Sequence, residues 1–134
     1  MNILLGLAVV VHGLIHLSYA GQSARLFELR PGMAWPDGSW ALSGLLGNEA
    51  VRIVAAVACV LAAAGFLAGG VVLFASQAWW RPVVIGSAAF STLALLLLWD
   101  AKLQALADKG LIAVIINLAI LVALLTFRWP RLGF

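Results

Sequence analysis

Four long apolar runs separated by shorter polar stretches set the pattern of this chain, at about residues 3–20, 50–75, 83–99 and 110–127. Each is close to the ~20 residues that a helix rising 1.5 Å per residue needs to cross a ~30 Å hydrocarbon core. None shows the strict alternation of a barrel strand, and backbone surrounded by lipid must hydrogen-bond within its own segment, so all four are predicted to be helices. The expected fold is an all-α, four-helix transmembrane bundle forming one domain over residues 1–134, with both termini on the same side. The links at 77–81 and 101–109 are short and make the flanking helices antiparallel neighbours. The first link, 21–48, is much longer. It carries the helix breakers Pro31, Gly32, Pro36, Asp37, Gly38 and Gly47 beside the apolar Leu26, Phe27, Trp35 and Trp40, and reads as a partly ordered cap on the membrane face. Asn48 followed by Glu49 resembles an N-cap with an acid in the first turn of the second span.

Composition agrees with that pattern and removes other classes. Of 134 residues, 65% are hydrophobic and 10% charged, too few polar groups to coat a water-soluble domain of this size. A net charge of +3, spread along the chain without a Lys or Arg run, offers nucleic acid no footprint. The single cysteine, Cys59, lies within an apolar run and reads as a small buried hydrophobe, so neither a disulfide framework nor a CxxC motif is present. Residues 18–21 have a small-residue look of a signal cleavage site. However, no Lys or Arg precedes the apolar run and two histidines interrupt it, so an uncleaved span is expected. The tryptophans fall at two levels, Trp79, Trp80 and Trp129 at one and Trp35, Trp40 and Trp99 at the other, as interfacial belts do. Basic residues divide too evenly between the two faces for the positive-inside rule to choose a side.

The rare polar groups are placed unevenly. All five acids, Glu28, Asp37, Glu49, Asp100 and Asp108, map to the face of the long loop. His16, His12 and Asn117 lie about 6, 12 and 10 Å below it, counted along their helices. His12 and His16 stand at i and i+4 and project from one side of the first helix. Three readings compete for them. They can be neutral glue between helices. They can be two ligands of a metal ion completed by Asp100 or Glu49, although two imidazoles are half a site. Or they can be proton-handling groups, for transfer to a quinone or across the membrane.

Glu49 and Arg52, at i and i+3, form either an ion pair closing the helix end or a clamp on an anionic head group. Asp100 and Lys102 read as a snorkelling pair at the interface. Gly65 and Gly69 form a Gly-x-x-x-Gly step suited to close helix approach, within the bundle or between copies.

Two stretches carry a resemblance. His12-Gly13-Leu14-Ile15-His16-Leu17 with Trp99-Asp100-Ala101-Lys102 resembles small four-span bacterial membrane modules, and Pro31-Gly32-Met33-Ala34-Trp35 is similar to the DoxX-like superfamily. That resemblance implies a four-helix protein of the bacterial inner membrane, in some members linked to quinone-dependent oxidation of sulfur compounds. This chain lacks a cysteine pair. The functional expectation is a pocket for an amphipathic ligand, lipid or quinone, lined by His12, His16 and Asn117, with Arg52, Glu49 and Asp100 around its mouth. The alternatives are a non-catalytic subunit or homo-oligomer joined through Gly65 and Gly69, and a proton-coupled transporter, for which no internal repeat is visible.

Overall fold

A computed structural model describes all residues 1–134. The protein is all-helical: α1 (Asn2–Ser23), a short α2 (Ser43–Leu46), α3 (Asn48–Phe74), α4 (Trp80–Leu98) and α5 (Leu111–Leu121), whose last turn widens into a π-helix at Val122–Thr126. Three helices, α1, α3 and α4, are long and apolar enough to cross a membrane, and the apolar segment Leu111–Thr126 is shorter. At 1.5 Å per residue it reaches about 24 Å.

The helix ends depart from the sequence expectation for local reasons. α1 continues past Ala20 to Ser23, because its last side chains satisfy groups nearby: Ser23 Oγ donates to the Tyr19 carbonyl at 2.8 Å, and Gln22 is wholly buried against the loop. α4 begins at Trp80 rather than 83, since Pro82 sits in the first turn, where a missing N–H leaves no bond unmade. Asn48 is not the cap of α3. Gly47 takes that position with a positive φ of 78°, and the Asn48 carboxamide oxygen accepts the Gly38 N–H at 2.9 Å instead.

Successive helices run antiparallel, as the packing pairs show. Gly13 of α1 lies on Ala63 and Phe66 of α3, with Gly6 near Gly70 and Phe74, and Gly65 and Gly69 of α3 lie on Ser87 and Val84 of α4. Leu95 of α4 covers Gly110 at the start of α5. Both chain ends therefore meet at one end of the molecule, where Met1, Phe127, Trp129 and Arg131 share a cavity. The Gly65 and Gly69 face, which the sequence offered to a partner, is filled by α4. Small residues are used for approach within the chain.

The long loop is built onto the end of α4. Helix ends leave their last carbonyls without partners. Here the loop supplies four donors in order: Trp40 Nε1–H to Leu96 O at 2.8 Å, Ser39 O–H to Leu97 O at 2.6 Å, Trp35 Nε1–H to Leu98 O at 3.1 Å, and the Trp40 backbone N–H to Trp99 O at 2.9 Å. Gln22 and Arg25 fix the loop from the α1 side. Gln22 donates to the carbonyls of Met33 and Trp35 and accepts the Leu29 N–H, and Arg25 donates to the Ala34 carbonyl at 2.8 Å. Two apolar clusters fill the interior. The one beneath the loop contains Tyr19, Trp35, Val51, Cys59 and Leu98, and the one toward the termini contains Phe66, Leu73, Trp80, Val84 and Leu124.

Three substitutions test this packing, each read by equilibrium unfolding in mixed micelles. A methyl group at residue 13 would lie 2.9 Å from Phe66 Cβ and 3.2 Å from the Ala63 carbonyl, so Gly13→Ala is expected to cost about 1–3 kcal/mol. At Gly86, where a Cβ meets open space, alanine is expected to be neutral or to stabilise by up to ~1 kcal/mol. Trp35→Phe keeps an aromatic ring, smaller than the indole, and removes the donor to Leu98 O. It should cost about 1–3 kcal/mol and speed proteolysis of the loop, and unchanged cleavage would contradict the capping role.

Candidate functional site

Four buried polar side chains form one layer between the two apolar clusters. α1 presents His12 and His16 inward, α4 presents Ser91 and α5 presents Asn117, all buried to within 4% exposure. His12 Nε2 lies 2.7 Å from Asn117 Oδ1, Asn117 Nδ2 lies 3.0 Å from Ser91 Oγ, Ser91 Oγ lies 2.5 Å from His16 Nε2, and His16 Nδ1 lies 3.0 Å from the His12 carbonyl. Phe66 of α3 meets both imidazoles, with ring centroids 4.6 and 5.3 Å away, and Tyr19 lies 5.9 Å from His16.

With both imidazoles neutral, donor counting assigns the bonded protons of this ring. A carbonyl only accepts, so His16 carries its proton on Nδ1 and its Nε2 is an acceptor. Ser91 must then give its single hydroxyl proton to His16 Nε2, leaving lone pairs for the Asn117 amide hydrogens. The Asn117 carboxamide oxygen in turn requires the His12 proton on Nε2. The bonds then run in one direction, from the His12 ring through Asn117, Ser91 and His16 back to the His12 backbone. One atom is left over: His12 Nδ1, a buried acceptor with no donor. The ring is poorly suited to passing protons, because a carboxamide such as Asn117 holds its two hydrogens on nitrogen and cannot release one while accepting another.

The expected metal set does not assemble. Both Nε2 atoms are already bonded, the imidazoles stand edge to face at 85°, and no group of three or more His, Cys, Asp or Glu side chains is placed to hold an ion. Asp100 and Glu49 lie elsewhere. Asp100 is paired with Lys109, Oδ2 to Nζ 2.8 Å, with side chains only 6% and 7% exposed, and its Oδ1 also accepts the Lys102 backbone N–H. The pairing is therefore with Lys109 and not with the Lys102 ammonium, because the 101–110 link folds back over the end of α4.

Arg52 also chooses a partner that its helix does not contain. The expected Glu49–Arg52 pair is absent. Arg52 Nε lies 3.3 Å from Asp37 Oδ1, and Arg25 Nη2 lies 3.0 Å from Asp37 Oδ2. Asp37 reaches this position because Arg25 holds the carbonyls of residues 33–35 and a turn returns the Asp37 N–H to the Ala34 carbonyl. Between α1 and α3, Arg25, Glu49 and Arg52 line a groove of about 420 Å³ whose apolar wall is Ile53, Ala56 and Val57. None of the principal cavities is lined by His12, His16 or Asn117.

The chain matches no family model, no curated protein and no solved structure. The DoxX-like resemblance rests on its short motifs alone, and the structure gives each motif a physical task. Residues 12–17 carry the two ring histidines, residues 31–35 supply carbonyls to Gln22 and Arg25 and the indole that caps α4, and residues 99–102 turn the chain out of α4 around Asp100.

Sequence reasoning brought His12, His16 and Asn117 together and missed Ser91, Asp37, Arg25 and Lys109. Ser91 had a usable signal. It lies eight residues before Trp99, about 12 Å below the loop face and level with His12 and Asn117. Asn117→Leu removes two bonds of the ring and strands the His12 Nε2–H, so a loss of about 1–2 kcal/mol is expected in micelle unfolding. In the double variant His12→Leu/Asn117→Leu, the second change should cost less than it does alone. Strict additivity would show that the two side chains do not interact.

Proposed function

We propose that the protein is an integral membrane protein of four spanning helices, α1, α3, α4 and α5, that binds an amphiphile with an anionic head group in the groove between α1 and α3. Membrane insertion is supported by the outward faces of the helices, where Leu93, Ile112 and Ile115 are more than half exposed. Lipid is the medium that covers such surfaces at no cost. The short α5 is extended toward the interface by Phe127 and Trp129, both exposed, as aromatic anchors.

The observation that carries the binding reading is the state of Arg52. Its Nε–H donates to the Asn48 carbonyl and lies 3.3 Å from the Asp37 carboxylate, while no protein group takes its four Nη hydrogens. A guanidinium fork left free beside an apolar wall suits a phosphate or carboxylate with a hydrocarbon tail. A quinone ring, which carries no charge, makes less of two arginines. In this reading the histidine ring holds the helices in register, and the ligand binds above it at the membrane surface.

The test is lipid titration by native mass spectrometry, using phosphatidylglycerol and phosphatidylcholine with identical acyl chains. The wild type should retain the anionic lipid preferentially. Arg52→Gln should weaken that lipid about tenfold, to the level of the zwitterionic one, as expected for the loss of one charge-assisted pair. Equal retention of both lipids by the wild type would overturn the assignment.

A further inference from the structure

A second cavity, of about 280 Å³, opens at the same face between α4 and α5 and shares no residue with the arginine groove. Its walls are Leu95, Leu96, Trp99, Leu103, Leu106 and Val114, and Lys109 is its one charged lining residue. Leu96 and Leu103 at its edge are 49% and 75% exposed, so it opens sideways onto the surface that faces lipid.

An ion pair in such a place is expensive, since removing two charges from water costs more than their attraction commonly returns. A purely structural plug would be apolar. The Lys109 ammonium has three hydrogens. The Asp100 carboxylate takes it at 2.8 and 3.0 Å, and the remaining protein acceptor, the Lys102 carbonyl, lies at 3.5 Å, the outer limit of a hydrogen bond. One N–H is thus only weakly bonded and can turn to a better acceptor. Because Asp100 already neutralises Lys109, a further carboxylate or phosphate would bring an unbalanced negative charge into an apolar cavity, and the acceptor that fits is neutral. Depth narrows it further. Trp99 and Lys102 mark the membrane–water boundary, the level at which the ester carbonyls of glycerolipids lie.

We infer that this cavity is a lipid site that receives one acyl chain of a bilayer glycerolipid, with the ester carbonyl accepting a hydrogen bond from Lys109 Nζ. The chain lies along Leu95, Leu106 and Val114 and leaves past Leu96 and Leu103. Ligand pockets usually run to ~300–1,000 Å³, so a cavity just below that range takes the first part of one chain and excludes the head group.

The experiment compares ester-linked and ether-linked phosphatidylcholines of equal chain length, titrated against the intact protein by native mass spectrometry. Their head groups are identical, so binding at the arginine groove cancels, and the anionic-lipid preference can fail without changing this result. The wild type should retain the ester lipid about tenfold better, the discrimination of one hydrogen bond to a charged donor. Asp100→Asn/Lys109→Met, which removes both charges together, should bind the two lipids equally. A wild type that retains ester and ether lipids alike, or neither, overturns the proposal without recourse to any variant. So does a folded double variant that keeps the ester preference.

Discussion

In hydrocarbon a hydrogen-bonding group has no solvent to fall back on, so each one that a helix carries inward must meet a partner from another part of the chain. The ring of His12, Asn117, Ser91 and His16 is the fullest answer to that constraint here. It satisfies three helices at once with neutral groups only, and nearly every donor and acceptor in it is used. Because the bonds have a direction, sliding α4 or α5 by one residue would leave several of them without partners. Apolar packing tolerates small slips at modest cost, whereas this ring permits one register. The glycine contacts between α1 and α3 and between α3 and α4 complement it, bringing backbones close enough for short side chains such as Ser91 to reach across.

The long helices and the relative levels of their side chains were legible from the sequence because both depend on local quantities, run length and rise per residue. Counting along α1 and α5 put His12 and Asn117 within about 2 Å of the same level, and the structure bonds them. Partner choice was not legible in the same way. Glu49 is the nearest acid to Arg52 along the helix, yet Arg52 turns to Asp37, which is brought in by a loop whose course depends on Arg25, Gln22 and the end of α4. Asp100 likewise meets Lys109 only because the 101–110 link doubles back. Ser91 escaped notice because a serine in an apolar helix reads as a small packing residue until its level is compared with those of the histidines.

The same physics separates what is locked from what is accessible. At mid-depth the polar atoms are consumed by one another, and no principal cavity reaches them. At the loop face, charge is only partly consumed: Arg52 keeps its Nη hydrogens, and Lys109 keeps one weakly used N–H beside an apolar cavity. The two proposed lipid sites therefore use groups at the rim, where lipids also carry their polar atoms.

The manner in which residues 35–40 cover the end of α4 also bears on biogenesis. The loop leaves the ribosome long before α4 does, so its indole and hydroxyl donors are made well ahead of the carbonyls they serve. Until α4 has been inserted and its last turn formed, Trp35, Ser39 and Trp40 have nothing to cap, and the loop is held only by its bonds to Gln22 and Arg25. Ordering of the loop thus becomes a late event that reports on the arrival of the third apolar segment, and a nascent chain interrupted before Trp99 would still leave its first loop open to quality-control proteases.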